Sequence, residues 1–260
     1  MTDPTNTVIG GGFALAFVFG AVAQKTNFCT MGAISDVVNM GHWVRMRMWM
    51  LAVAVAVLGA GALDLAGLVD LSKAVQQQPT LRWLSIAVGG LVFGVGMTLS
   101  GGCANRNLVR LGAGSLRSGV VLVFMGLAAY MTMRGLFAAG RAAWLDPVAL
   151  PLGEWGWTDQ GLPTLLSRAT GLAEPTARAV AMAAVALPLL AFVLRDAAYR
   201  RPSPQAIGGL LIGGVIAAGF YLSGAIGFGE NPETLEDSFF ATNSRALESM
   251  SFVGPTAYSL

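Results

Sequence analysis

The chain is poor in the residues from which soluble enzymes and metal proteins are built. It has one histidine and two cysteines in 260 residues, and only 12% of its side chains are charged, about half the share of an ordinary soluble domain. Two cysteines cannot make a disulfide framework, and without a Cys-x-x-Cys or a His/Cys cluster nothing marks a metal site. A net charge of +2 gives no footprint for nucleic acid. No basic segment precedes the first apolar stretch, since Asp3 is the only charged residue before Lys25. That stretch therefore reads as a retained membrane segment and not as a cleaved leader.

What is abundant points one way. Hydrophobic residues make up 55% of the chain and mean hydropathy is +0.64. The 34 glycines are nearly twice the usual share of about 7%, which suits helices packed closely in lipid. Six apolar stretches have the length of a membrane span: Val8–Ala23, Met48–Val69, Trp83–Ser100, Gly119–Phe137, Ala177–Leu194 and Ala206–Tyr221. The expected fold is an all-α polytopic bundle forming a single integral membrane domain over 1–260. A first repeat covers about 8–138, an extramembrane loop about 139–176, and the start of a second half about 177–260. Pro188 falls inside the fifth span, where a kink is tolerated if neighbours satisfy the freed carbonyl. The tail after Ser223, with Glu230, Glu233, Glu236, Asp237 and Glu248, reads as aqueous.

Two connections are too apolar for ordinary loops. Gln24–Met46 carries Phe28, Met31, Ile34, Val37 and Val38, and Ser100–Ser118 carries Leu108, Val109, Leu111 and Leu116. Both begin where a helix ends, and both hold a cysteine. They are expected as broken helices or re-entrant loops, which membranes accept where protein or a wet cavity lines them. Cations set the orientation. Lys25, Arg45, Arg47, Arg106, Arg110, Arg117, Arg195, Arg200 and Arg201 fall in three short connections, so these are placed in the cytoplasm and the N-terminus in the periplasm. His42, beside Trp43, Arg45 and Arg47, reads as an interface anchor. Met46, Met48 and Met50 read as lipid-facing packing, and Asp64 either as a costly carboxylate near membrane depth or, being close to a helix end, as facing water. Asp36 is a costly carboxylate near membrane depth.

The cysteines are placed alike. Cys29 follows Val18-Phe19-Gly20 by nine residues from the glycine, and Cys103 follows Val92-Phe93-Gly94 by the same nine. Repeats that break helices at equivalent points mark the substrate path in many transporters. A membrane cysteine can be a mere small hydrophobe, but matched spacing at matched helix ends argues for a shared role, with both thiols near one axis. A thiol is a weak donor and a soft acceptor, suited to a polarisable sulfur atom. Lys25, four residues before Cys29, and Arg106, three after Cys103, would attract an anion. Backbone N–H groups at a helix start or in the Gly101-Gly102 turn would hold its oxygens.

The segments Gly20-x8-Cys29-Thr30-Met31-Gly32-Ala33-Ile34-Ser35-Asp36 and Gly94-x6-Gly101-Gly102-Cys103-Ala104-Asn105 resemble the YeeE/YedE family, and the resemblance extends from about Gly10 to Tyr221. It implies import of thiosulfate or a related small sulfur-containing anion across a bacterial inner membrane, without a cofactor. The path would be lined by thiols that donate S–H hydrogen bonds. Cys29 and Cys103 match the first two family cysteines, and Thr30, Gly32, Gly101, Gly102 and Asn105 fall beside them. Family members carry a third Gly-Cys motif, which has no counterpart here. It is expected beyond this sequence or on a second membrane chain completing the path. The alternative is a sulfur-transfer protein carrying a cysteine persulfide to a cytosolic sulfur-carrier protein. That would need an exposed thiolate, and no histidine or catalytic carboxylate stands near either cysteine to help form one.

Overall fold

Long apolar runs leave the backbone no partner but itself, so the spans close their hydrogen bonds within helices. The computed structural model describes residues 4–201, 203–230, 237–242 and 244–259; Glu233 and Glu236 of the acidic tail lie outside them. The protein is all-α, with α1 (Pro4–Thr26), α2 (Thr30–Met40), α3 (Val44–Leu65), α4 (Trp83–Leu99), α5 (Ala104–Gly112), α6 (Leu116–Met133), α7 (Leu136–Gly140), α8 (Leu162–Thr170), α9 (Glu174–Leu194), α10 (Pro204–Tyr221) and α11 (Val253–Tyr258). A short antiparallel pair, β1 (Phe228–Glu230) and β2 (Asp237–Phe239), follows α10. Among the described residues, six helical stretches are long and apolar enough to cross a membrane. Each contains most of one expected span, the second and fourth ending four residues early at Leu65 and Met133, and α9 runs unbroken through Pro188.

The chain divides into two units. The first holds residues 1–28, 33–77 and 161–250. Here α3 packs on α10 and α9, and α1 on α10. Small residues make the α3–α10 approach possible. A Cβ on Gly209 would lie 2.9 Å from the Met48 carbonyl oxygen, and one on Gly213 2.6 Å from that of Ala52. Met48, Leu51, Val193, Tyr199 and Ala206 form the core of this unit, with Phe28, Met50, Val55 and Leu190 packed against it. Met48 is fully buried. The lipid-facing reading of the methionines is therefore corrected there: the glycines of α10 leave a groove that a long, flexible side chain fills.

Four carboxylates of this unit are in ion pairs. Arg45 makes a two-pronged contact with Asp36, and Arg47 pairs with Asp196. Arg178 donates to Asp64 at 2.9 Å, and the second Asp64 oxygen accepts from the Leu71 N–H at 3.0 Å. The Asp64 side chain is only 7% exposed, which fits the buried-carboxylate reading over the water-facing one; its two partners replace the water. Tyr199 donates its hydroxyl to the Val44 carbonyl, and burial pushes this phenol up to about 12, which keeps the proton on the donor.

The second unit holds residues 29–32, 78–160 and 251–260. In it α6 packs against α5, α7 and α11. Helix α4 contains no buried residue. Its Leu91, Val92, Phe93, Val95 and Leu99 are all more than half exposed, a surface suited to lipid. From the segment expected as an extramembrane loop, Leu150 pairs with Leu81 as an isolated bridge, and Asp146 accepts from Ser85 at 2.6 Å and pairs with Arg141 at 3.3 Å.

Candidate functional site

Helix, break, short helix, helix: the chain runs through this order twice, as α1-α2-α3 and as α4-α5-α6. In each pass the cysteine is the residue immediately before the short helix, Cys29 before α2 and Cys103 before α5. The two cysteines are 74 residues apart, and the same offset relates Asn27 to Gly101, two residues before each cysteine. Both adopt left-handed backbone, at φ 53° and 70°. Only glycine enters that region freely, and asparagine is among the few others that tolerate it. That left-handed residue turns the chain out of one helix and sets the thiol at the start of the next.

The second break is held from several sides. Ser100 Oγ donates to the Gly102 carbonyl at 2.9 Å. Asn107 Nδ2 donates to the carbonyls of Gly102 and Cys103 at 3.1 and 3.3 Å, and Arg110 donates to that of Gly101 at 3.0 Å. Asn107 is 2% exposed. It stands one helical turn after Cys103, so it faces back toward the break. Asn107, Ser100 and Arg110 are not among the residues expected from the sequence to shape the site. The signal in the sequence is the four-residue spacing from Cys103 to Asn107, one helical turn. In the first break the cysteine does this work itself: the Gly32 N–H donates to Cys29 Sγ at 3.4 Å. This is the reach of an N-cap side chain to the third residue of its helix.

The two sulfurs meet. Cys29 Sγ and Cys103 Sγ are 3.7 Å apart, and either thiol can be the donor. Both cysteines are free thiols; Cys29 is buried and Cys103 half-buried. Cys29, Thr30, Gly32, Gly101, Gly102, Cys103, Asn105 and Arg106 all belong to the second unit. Gly102 and Asn105 are buried there, and Gly101 is exposed. The stem of Arg106 lies on Gly102, where an added Cβ would meet it at 3.1 Å. Lys25 is an exposed residue in the last turn of α1 and groups with the first unit. Among the described residues no three His, Cys, Asp or Glu side chains gather as metal ligands would. The arrangement offers a soft S–H donor and acceptor pair beside two helix starts.

The chain is similar to known proteins along much of its length. The chain is 28% identical over 180 residues to the thiosulfate transporter TsuA of Spirochaeta thermophila, covering 68% of this chain and 52% of that protein. It is also 28% identical over 140 residues to the TsuA of Escherichia coli, covering 54% of this chain and 37% of that protein. The chain thus matches about half the length of the first relative and less of the second. A sequence model described as "Sulphur transport" matches residues 25–258, a range that contains both cysteine breaks. With that match spanning most of its length, the chain belongs to the sulphur transport (YeeE/YedE) family.

Proposed function

We propose that this multi-pass membrane protein imports thiosulfate, or a related small sulfur-containing anion, along a path lined by the Cys29 and Cys103 thiols. The single observation that carries the reading is the 3.7 Å approach of the two sulfurs, from breaks equivalent in sequence and in backbone. A dianion is costly to move through a low-dielectric region. Here neutral S–H groups meet its soft terminal sulfur, while N–H groups at the starts of α2 and α5 favour its oxygens. Thr30, Gly32, Gly101, Gly102 and Asn105 flank the path, and Lys25 and Arg106 draw the anion in without holding it in a permanent ion pair. Sulfurs in contact leave no room for an ion between them, so passage separates the two breaks.

On this reading the protein is a transporter and not an enzyme, it needs no cofactor, and its cargo leaves unchanged. It forms one integral domain of the bacterial inner membrane, with the first repeat at about 8–138. The N-terminus is periplasmic, and the three basic connections are cytoplasmic. A cytosolic sulfur-carrier protein, or a second membrane chain completing the path, fits as partner. The test is uptake of labelled thiosulfate by cells lacking their own uptake. They would express this chain alone and alongside a segment supplying the third cysteine motif. Uptake in either arm that disappears with Cys29→Ala supports the proposal; a persulfide trapped on Cys29 or Cys103 and passed to an acceptor contradicts it.

A further inference from the structure

We propose that Cys29 and Cys103 are also an oxidative modification site, at which a peroxide joins them in a reversible disulfide that shuts the path. The inference rests on the reading of this pair as the cargo path, and it adds a chemistry that transport does not use. Three observations carry it. The sulfurs are already in contact at 3.7 Å, and a bond of about 2.05 Å needs only a small further approach. They are the only two cysteines in these 260 residues, and each has the other as its sulfur neighbour. They also differ in access, Cys29 being buried and Cys103 half-buried.

That difference orders the steps. A peroxide reaches Cys103 first. Its sulfur attacks one peroxide oxygen, the O–O bond breaks, and the departing oxygen leaves as water with the thiol proton, so Cys103 becomes a sulfenic acid. The Cys29 sulfur then attacks the Cys103 sulfur. The S–S bond forms, the S–O bond breaks, and the hydroxyl leaves as a second water with the Cys29 proton. For hydrogen peroxide, two thiols and one peroxide give one disulfide and two waters. The two electrons removed from sulfur are those that cleave the O–O bond. A resolving thiol already in contact also keeps Cys103 from the irreversible sulfinic state. The product has no S–H to donate, and it ties together two breaks that must separate for an anion to pass. An added dithiol reverses the reaction by exchange.

The experiment treats the purified full chain, in proteoliposomes, with hydrogen peroxide and reads intact mass, peptide mass and labelled thiosulfate uptake together. The expected protein has lost two hydrogens, with the Cys29 and Cys103 peptides joined. Its uptake falls by about tenfold or more, a barrier change of about 1.4 kcal/mol, and returns with dithiothreitol. Thiosulfate present during treatment slows the cross-link by standing between the sulfurs. In Cys29→Ser, a sulfenic-acid probe labels Cys103; in Cys103→Ser, Cys29 stays unlabelled. Free thiols after treatment, or a cross-linked protein that still transports, would overturn the proposal, and labels on the reversed cysteine would overturn the order of steps. Reduced protein that transports yet resists cross-linking sinks this inference alone. Reduced protein that cross-links but transports neither alone nor with a segment supplying the third cysteine motif sinks the transport reading and leaves the modification site standing.

Discussion

The two cysteine breaks share a backbone and differ in nearly everything around it. Both descend from a Val-Phe-Gly turn of helix nine residues upstream, and both turn on a left-handed residue two before the thiol. Yet Phe19 is 4% exposed and stacks edge-to-face on Phe28 at 6.3 Å, while its counterpart Phe93 is 53% exposed. Helix α1 leads into a break whose cysteine accepts from its own helix. Helix α4 packs little, and its break is held by Ser100, Asn107 and Arg110. The repeat therefore preserves the position of the thiol and leaves its means of support free to vary. Position is what a shared path requires.

Removing a thiol should have the largest effect, and the same effect in either repeat despite the different surroundings. A hydrogen bond to a charged group is worth about 1.5–3 kcal/mol. Cys29→Ala or Cys103→Ala should thus slow thiosulfate uptake by about tenfold to a hundredfold, with the protein still present in the membrane at normal amount. Serine keeps a donor but loses reach and softness, so Cys→Ser should impair uptake as well. An ordinary thiol holds its proton below about pH 8.5. Two thiols in contact titrate as a pair, so uptake should fall once rising pH takes a proton from that pair, because a thiolate repels the anion; a persulfide carrier would show the opposite slope.

The supports come next, and here the repeats should part. Asn107→Leu removes both donors from the Gly102 and Cys103 carbonyls and should cost about 1–3 kcal/mol of stability, read as a lowered melting temperature with reduced uptake. The position 74 residues earlier is Ala33, which is buried and offers no such bond. Its conservative change to Ser should leave the first break's function intact, and a loss equal to that of Asn107→Leu would undo the contrast. Gly101→Ala places a Cβ in left-handed backbone at φ 70° and should cost about 1–2 kcal/mol. Asn27→Gly at the equivalent place should be close to neutral.

The smallest effect is expected where the sequence repeat looks strongest. A Cβ on Gly20 or on Gly94 would meet nothing within 4 Å. Gly20→Ala and Gly94→Ala should leave uptake unchanged and gain up to about 1 kcal/mol in helix propensity. Loss of uptake with either would mean that a partner or lipid contacts these faces during transport.

Much of the fold was legible because hydrocarbon imposes a simple rule: a run of about 20 apolar residues must close its own hydrogen bonds. The six spans and both breaks followed from that rule, and the equal Gly-to-Cys spacing anticipated the meeting of Cys29 with Cys103. What escaped depended on partners far apart in sequence or on backbone state. Asn27 and Gly101 do the same conformational work with different residues, so no residue match reveals them. Arg178 reaches Asp64 across 114 residues, and Met48 fills space made by glycines 160 positions away, at Gly208. From its chain neighbours alone Met48 reads as facing lipid and Asp64 stays open between burial and water, because the groups that decide both lie far along the chain.

The central claim is that Cys29 and Cys103 act as one unit on one path. Initial rates of labelled thiosulfate uptake by Cys29→Ala, Cys103→Ala and the double variant test it most directly. Groups that serve a single constriction couple, and their effects do not add. The account predicts that each single variant loses about tenfold or more and that the double variant is little worse than either. Full uptake by one single variant, or losses that multiply in the double, would contradict it.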